Sequence, residues 1–465
     1  MTEYDVAIIG AGPGGYVAAI RCARHGLSTV LIERDEVGGT CLNSGCIPTK
    51  TLLKNAELLR ELAYADERGI LVGDVKVDMP KVLAMKDRVV KQLVGGVGML
   101  LKANGVHIVR GYAQVSSPAS LTVNGENIAF KNLIIATGSS DTAPPPQGME
   151  SEGVLTSAEL LSIDHVPERL AIIGGGVIGC EFASIFSAFG SRVTIVEMMP
   201  HLLPQMDGEL SAALEHSLAA NGIRVLTQAK VSAVTAVGSE YRVAFEGGRQ
   251  EPLIAGRILA GIGRSPNLDG IGLQDLEMEG GYIKVDEHMQ TNIPNVYAVG
   301  DVTGKMPLAH AASAQGMVAA DTIAGGHAEI SDDAVPHCVY TIPEIGTVGL
   351  AESQARAQYR EIVVGRFPLA ANGRALASGA PEGFVKLVAD AHTGRLLGCH
   401  ILGQSATELI GEAAAFLRMR ATLKDVASTI HAHPTVSECI QEAARAALGE
   451  PVHLFKRRVG ERPCT

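Results

Sequence analysis

Two cysteines, Cys41 and Cys46, lie close together in the stretch 38–50, at a spacing typical of neither a metal site nor a thioredoxin motif. Their proximity suggests a redox pair. A regular helix would hold Cα atoms five residues apart at roughly 8–9 Å, beyond the roughly 7 Å limit for a disulfide. A bond would therefore need a distorted helix, which Gly45 would permit and Pro48 would favour. The alternative is two buried thiols of a cytosolic protein.

A glycine-rich turn follows the first apolar segment of the chain. Residues 4–9 predict a buried strand, 16–25 a helix ended by Gly26, and 28–32 a second strand that closes on Glu33. The turn contains Gly10, Gly12, Gly14 and Gly15. Such glycines permit the turn, the approach of a pyrophosphate and close helix packing, and the acid accepts from a ribose hydroxyl. This unit is therefore predicted to bind a dinucleotide.

The same order of elements recurs in residues 170–197. A strand leads into Gly174, Gly176 and Gly179, and a helix and a second strand follow, ending at Glu197. The first glycine and the acid are 23 residues apart in both copies. A second dinucleotide site is predicted, with a divergent copy that no longer binds as the alternative. Glu197 favours NAD over NADP, because a carboxylate bonds the ribose 2′-hydroxyl and repels a 2′-phosphate.

Charge and composition limit the classes of partner. The net charge of -11 argues against nucleic acid or an anionic membrane surface as partner. The N-terminus has no basic leader, and no apolar run reaches the roughly 18 residues of a membrane span. The 8 cysteines lie mostly singly and do not form a disulfide scaffold. We therefore expect a cytoplasmic protein with no metal site, in which any disulfide is catalytic.

The segments between the two units predict further elements of the first. An amphipathic pattern over about 82–104 predicts a long helix, and a strand-rich segment ends in 133–139, where the chain would return towards the first nucleotide site. Pro144 to Pro146 predict a stiff linker into the second unit.

The pattern changes from about His337. Residues 384–390 and 395–402 predict antiparallel strands joined by a hairpin-length loop, and helical periodicity follows through about Arg420. The last part of the chain is therefore predicted to form a domain of mixed α and β structure.

With paired cysteines after one dinucleotide unit and a second unit behind it, the sequence resembles the flavin-dependent disulfide reductases over essentially its whole length. The resemblance is carried by residues 10–15, 38–50, 136–138, 174–179, 261–264, 299–301 and 431–438. It implies an α/β fold with two Rossmann-like dinucleotide-binding domains and a C-terminal α+β dimerisation domain. The implied divisions are an FAD-binding domain with the redox disulfide (1–143), an NAD-binding domain (144–268), a central domain that completes the FAD site (269–336) and an interface domain (337–465).

The resemblance implies catalytic roles for four residues. Cys41 would exchange thiols with the substrate, and Cys46, its partner in the redox disulfide, would lie against the flavin. Because exchange requires a thiolate, His433 would act as base for the substrate thiol, and Glu438 would hold the imidazole. His431 would be structural, with a His-x-His metal site as the alternative.

The resemblance also implies cofactor contacts beyond the glycine turns. Lys50 would lie near the flavin nitrogen that receives hydride, paired with Glu181. Asp301 would approach the ribityl chain, unless it caps a helix suggested by 308–324. The other residues with an implied cofactor contact are Thr40, Gly138, Gly263, Arg264, Gly300 and Ala309. FAD would occupy the first unit and NAD the second.

The implied reaction is oxidation of protein-bound dihydrolipoyl groups to lipoyl groups with reduction of NAD to NADH. The resemblance implies a homodimer in which the histidine motif of one chain enters the disulfide site of the other. The implied protein partner is the lipoyl domain of a dihydrolipoyl acyltransferase in a 2-oxo acid dehydrogenase complex.

Related reductases and one other class are alternatives. Mercuric reductases end in a vicinal cysteine pair and carry tyrosine in place of the histidine base, whereas Cys464 is single and His433 is present. Glutathione reductases use NADPH, which Glu197 fits poorly. Ser44 and Thr49 differ mildly from the commonest redox-cysteine stretch of reductases that oxidise dihydrolipoyl groups. These differences leave a related dithiol open as the substrate. A flavoprotein with an assembly or regulatory role could have lost its cysteine pair or histidine, and this chain keeps them.

Overall fold

The computed structural model describes residues 3–142, 146–248, 251–331 and 333–455, and they form two compact units. Within these ranges the first unit comprises 3–142, 154–166 and 259–331, and the second 146–153, 167–258 and 333–455. Most of the predicted proline linker, Pro144 and Pro145, lies outside the described residues, as does Cys464. No helix in the described ranges is long and apolar enough to cross a membrane.

A seven-stranded sheet forms the centre of the first unit. Its strands run in the order His107–Arg110, Thr29–Glu33, Glu3–Ile9, Glu126–Ile135, Ser120–Val123 and Ala113–Ser117, and Val296–Ala298 also pairs with Glu126–Ile135. Strand Glu3–Ile9 is parallel to both of its neighbours. Its last four residues are all buried, as is typical of a parallel strand covered on both faces.

The other elements of the first unit surround this sheet. The helices are Pro13–Arg24, Gly39–Asn43, Cys46–Ala63, Met79–Ala103, Ser157–Leu160 and Ala309–Ile323, with 3₁₀ turns at Asp66–Arg68 and Gly300–Thr303. The short strands are Ser139–Asp141, Val154–Leu155, Arg264–Pro266, Met278–Glu279 and Tyr282–Ile283.

The second unit contains a parallel sheet and two antiparallel sheets. Strands Arg224–Leu226, Arg192–Val196 and Arg169–Ile173 are parallel neighbours. Strands Val231–Val237, Glu240–Phe245 and Leu253–Ala255 form a three-stranded antiparallel sheet. The five-stranded sheet has the order His337–Val339, Glu344–Gly349, Leu396–Gly403, Phe384–Asp390 and Ile362–Pro368. The chain passes back to the first unit along strand Arg257–Ala260.

Helices pack around these sheets of the second unit. They are Val177–Phe189, Gly208–Ala220, Glu352–Gln358, Gly373–Ser378, Ala406–Arg418, Leu423–Ser428 and Glu438–Ala447, with 3₁₀ turns at Glu246–Gly248 and Leu369–Ala371. The five-stranded sheet and the helices against it, Ala406–Arg418 and Glu438–Ala447, contribute to one hydrophobic core.

The predicted α/β fold is confirmed, including both strand–turn–helix–strand units and the antiparallel strands near the C-terminus. The first helix begins at Pro13, three residues before the predicted start, because proline is favourable in the first turn, where no donor is needed. The predicted helix over 82–104 is Met79–Ala103, with Asp78 as its cap. The division into four domains stays a prediction.

Candidate redox active site

The segment that carries the two cysteines is a broken helix. Helix Gly39–Asn43 ends at Ser44, and a new helix, Cys46–Ala63, starts after Gly45. Gly45 has φ -137° and ψ -108°, and a Cβ on it would lie 2.9 Å from the carbonyl oxygen of Thr40. The distortion that a Cys41–Cys46 bond requires is therefore present in the backbone.

The new helix places Cys46 at its first position, where the helix dipole favours a negative charge. Pro48 lies in the first turn and is buried, and its missing N–H costs no intrahelical bond there. The hydroxyl of Thr49 donates to the carbonyl of Gly45 at 2.7 Å. The proline predicted to disturb the helix is thus accommodated directly after the break.

The side chains of the two cysteines are hydrogen-bonded to each other. That bond, followed by burial and the charge of Cys46, raises the pKa of Cys41, while the charge of Lys50 opposes the shift. Two adjacent thiolates are unfavourable, so the pair gives up its protons in separate steps. Cys41 therefore holds its proton more strongly than a free cysteine does.

The glycine turn of the first unit fixes the position of this segment. The backbone N–H of Gly38 donates to the carbonyl of Ala11 at 2.7 Å. A Cβ on Gly39 would lie 2.7 Å from the Cα of Gly12, so the redox helix starts directly against the turn. A dinucleotide held by the turn would therefore lie next to the helix that carries Cys41.

The two nucleotide units share their hydrogen bonds as well as their order of elements. The Glu33 carboxylate accepts from Ala11 N at 2.6 Å and from Asp35 N at 2.9 Å. In the second unit, Glu197 accepts from Gly175 N at 2.6 Å and from Met199 N at 2.7 Å. Each buried carboxylate thus holds its glycine turn and keeps lone pairs for a ribose hydroxyl.

The turns also need glycine where the helix approaches the strand. A Cβ on Gly15 would lie 1.8 Å from the carbonyl oxygen of Gly10, and one on Gly179 would lie 2.0 Å from that of Gly174. Both turns therefore have the cradle that a pyrophosphate requires at a helix N-terminus. The residues present fit FAD and NAD in this respect.

Asp301 belongs to a chain of polar side chains in the first unit. Its carboxylate accepts from the hydroxyl of Ser139 at 2.6 Å, and that hydroxyl accepts from Arg264 Nε at 2.8 Å. Arg264 also donates to Asp141 at 2.7 Å. The helix suggested by 308–324 begins at Ala309 after Leu308, so the alternative that Asp301 caps it is wrong.

Sequence reasoning missed two side chains that hold this part of the site. Ser139 follows Gly138 directly, and its hydroxyl links Arg264 to Asp301. Gln315, only 1% exposed, accepts from the backbone N–H of Gly300 at 2.7 Å. Ser139 could have been suspected from its place after a motif glycine, whereas the position of Gln315 mid-helix gave no such signal.

His433 and Glu438 form a dyad in the second unit. The imidazole Nδ1 of His433 lies 3.0 Å from Glu438 Oε1, and the side chain of His433 is 79% exposed. Burial alone would raise the pKa of Glu438, but the Thr435 N–H and the two histidines, His433 and His431, outweigh it and lower that pKa. The carboxylate therefore stays ionised near neutrality and orients the ring, leaving Nε2 to exchange a proton.

His431 is held differently from His433. Its Nε2 lies 2.6 Å from Glu412 Oε1 and its Nδ1 lies 3.1 Å from the carbonyl of Thr429, and its side chain is 5% exposed. These contacts fit the predicted structural role, because both ring nitrogens of His431 face protein oxygens. Neither nitrogen faces a metal site that His433 could share.

The predicted partner of Lys50 lies in the other unit. Glu181 is buried and accepts from the backbone N–H of Tyr340 at 3.0 Å. The Lys50–Glu181 pair stays a prediction, as do all the implied cofactor contacts, those of Thr40, Gly263 and Ala309 included.

Two family models match almost the whole chain. Residues 4–316 match the pyridine nucleotide-disulphide oxidoreductase family, and residues 335–444 match the dimerisation domain of the same family.

Curated relatives match over nearly their full length. A dihydrolipoyl dehydrogenase of Thermus scotoductus is 43% identical, over 98% of this chain and 100% of the relative. A dihydrolipoyl dehydrogenase of Bacillus subtilis is 40% identical, over 97% of this chain and 99% of the relative. Among solved structures, LpdA from Mycobacterium tuberculosis has a TM-score of 0.87 and 31% identity, covering 96% of this chain and 99% of that chain. The HOCl-induced flavoprotein disulfide reductase RclA from Escherichia coli has a TM-score of 0.86 and 29% identity, and the match covers 95% of this chain and 99% of that chain.

Proposed function

Because the chain belongs to the pyridine nucleotide-disulphide oxidoreductase family, we propose that it oxidises protein-bound dihydrolipoyl groups to lipoyl groups and reduces NAD to NADH. The observation that carries the proposal is the thiol pair, with Cys41 and Cys46 hydrogen-bonded across a helix break. Relatives that share about 40% of the sequence over their full length are dihydrolipoyl dehydrogenases, which supports this substrate over other disulfides.

In the proposed first half-reaction, the chain's residues exchange thiols with the substrate. His433 takes the proton of one substrate thiol, and the thiolate attacks Sγ of Cys41 in the oxidised pair. The Cys41–Cys46 bond breaks, and its electron pair leaves on Cys46. The second substrate thiol attacks the substrate sulfur bound to Cys41, which forms the lipoyl disulfide and releases Cys41. His433 gives the first proton to the departing Cys41 and takes the proton of the second thiol, so the reduced pair is a Cys41 thiol and a Cys46 thiolate with His433 protonated.

FAD, when bound, would supply the two-electron acceptor that links the reduced cysteine pair to NAD. In the first unit, the turn from Gly10 to Gly15, Glu33 and the Ser139–Asp301 pair would hold it. Lys50 would balance negative charge beside the cysteines, as its opposing effect on the pKa of Cys41 indicates.

The second unit would bind NAD in preference to NADP. Glu197 is 7% exposed and fixed by two backbone donors, which supports a role for its carboxylate as acceptor for a ribose hydroxyl. The residues that follow it, Met198 and Met199, carry no charge that could receive a 2′-phosphate.

The match to a dimerisation domain supports a homodimer. A cytoplasmic location and binding to the lipoyl domain of a dihydrolipoyl acyltransferase complete the proposal. The relatives named dihydrolipoyl dehydrogenase support a dihydrolipoyl substrate, which such a domain would carry.

Anaerobic titration of the purified holoenzyme with dihydrolipoamide, followed by NAD, tests the reaction. We expect the flavin spectrum to develop a long-wavelength thiolate-to-flavin band, because reduction leaves a thiolate on Cys46, and NAD to restore the oxidised spectrum. A flavin that ignores dihydrolipoamide but responds to NADH would overturn the substrate and leave the fold and cofactors intact.

The two glycine turns offer a matched pair of variants that tests which cofactor each turn binds. Gly15→Ala should lose FAD during purification, and Gly179→Ala should keep FAD but bind NADH at least roughly tenfold more weakly, because each added Cβ would collide with a carbonyl oxygen of its own turn. Flavin content and calorimetric NADH titration measure the two effects. Gly95→Ala, where a Cβ meets nothing within 4 Å, is the control. Equal loss of FAD from both turn variants would contradict separate sites.

A further inference from the structure

A lysine is buried in an ionic cluster of the second unit. Lys386 lies on strand Phe384–Asp390, and its side chain is 3% exposed, as is that of Asp207. The ammonium group Nζ lies 3.0 Å from each carboxylate oxygen of Asp207. Such an arrangement is rare, because removing either charge from water is costly without a close partner.

Further charges complete the cluster. Lys386 Nζ also lies 3.1 Å from Glu209 and 2.8 Å from Glu352, and Arg366 pairs with both glutamates at 2.7 and 3.2 Å. Burial would lower the pKa of Lys386, but the acceptor bonds from Glu352, Asp207 and Glu209 raise it. The lysine therefore stays charged and holds its acceptors together.

Asp207 stands at the end of the segment 198–207, which follows Glu197 and packs behind the second glycine turn. Within this segment, the backbone N–H of Leu203 donates to the carbonyl of Gly175 at 3.0 Å. A Cβ on Gly175 would lie 2.4 Å from Leu202 Cδ2, so the contact with the turn is close. The shape of the turn thus depends on where this segment is held.

The segment has a backbone conformation that must be held in place. Leu203 is 3% exposed and has φ 47°, in the left-handed region that a leucine rarely adopts. Its carbonyl accepts from Met206 N at 2.9 Å and from the hydroxyl of Ser211 at 3.4 Å. Asp207 accepts from Glu209 N and caps the helix that follows. The bonds to Lys386 fix the far end of the same segment.

We propose that Lys386 is a positioning residue for the NAD site: it anchors Asp207, and through the segment 198–207 it fixes the conformation of the glycine turn at Gly175. The proposal rests on the proposed function only in placing NAD in the second unit. On this proposal, the antiparallel sheet that carries Lys386 contributes to nucleotide affinity. Lys386 acts through the segment 198–207 and not by contact with the nucleotide.

The test separates nucleotide affinity from overall stability. In the holoenzyme, Lys386→Met should weaken NADH binding by roughly tenfold or more, measured by calorimetric titration, because the segment loses its anchor. Reduction of the flavin by dihydrolipoamide needs no nucleotide, so its rate should stay within about twofold of the wild type. Lys386→Arg keeps the charge and should restore most of the affinity.

A second variant covers the case in which the buried Asp207, left without its partner, prevents folding. Asp207→Asn combined with Lys386→Met removes both charges and retains an oxygen that can cap the helix, yet it also lacks the ionic anchor. We expect it to fold and to bind NADH as weakly as Lys386→Met. Lys424→Met, which removes a lysine outside the cluster, is the control.

Wild-type NADH affinity in the folded double variant would overturn the proposal. So would an equal slowing of flavin reduction by dihydrolipoamide, since that would show general damage to the fold. If dihydrolipoamide does not reduce the flavin of the wild-type protein, the proposed substrate is contradicted instead. The calorimetric comparison of NADH affinities would still decide the role of Lys386.

Discussion

Replacing Cys41 with serine is expected to abolish NAD reduction by a dihydrolipoyl substrate while the protein still binds FAD. Sulfur exchange requires a disulfide that the substrate thiolate can attack, and serine cannot form one with Cys46. The rate should fall by at least roughly a thousandfold, because loss of the attacked atom leaves only binding. Steady-state assays with dihydrolipoamide and NAD measure the loss, and the flavin absorbance of the purified variant measures FAD content.

The design of this experiment depends on which steps bypass the cysteines. Electron transfer from NADH to an artificial acceptor needs only the nucleotide and the flavin, so Cys41→Ser should keep most of that activity. Cys338→Ser is the control, because this half-buried cysteine lies on strand His337–Val339 of the antiparallel sheet, where its thiol donates to the carbonyl of Thr407. Near-normal dithiol oxidation by Cys41→Ser would end the proposed exchange role.

Much of the fold could be predicted because its determinants are local. The strand, the glycine turn, the helix and the closing acid of each nucleotide unit lie within about thirty residues, and each residue type has one structural reason to be there. The break at Gly45 followed from a geometric mismatch between helix and disulfide, and the structure has it.

The parts that could not be predicted depend on contacts between distant segments. Ser139 reaches Asp301, and Lys386 reaches Asp207, 162 and 179 residues away along the chain. A lysine within the apolar strand Phe384–Asp390 gives no sign that its partner is an aspartate before a helix so distant along the chain. Periodicity reports which face is buried, but it does not identify which charges meet there.

Replacing His433 with glutamine is expected to slow reduction of the flavin by dihydrolipoamide by roughly 10²–10⁴-fold. Glutamine fills a similar space and can still bond Glu438, but it cannot take the proton of the substrate thiol. Stopped-flow absorbance under anaerobic conditions measures this half-reaction directly. His392→Gln, which changes an exposed histidine in the hairpin loop after strand Phe384–Asp390, is the control.

His433→Gln also distinguishes two roles for His433, that of a base and that of a residue that only maintains the shape of its loop. If His433 is the base, raising the pH should partly restore the rate of His433→Gln, since more of the substrate thiol is then ionised without help. Electron transfer from NADH to an artificial acceptor should be almost unchanged, because no sulfur proton moves in it. A variant that loses both activities equally, with no recovery at higher pH, would contradict the role, because a damaged loop at Glu438 would then explain the loss.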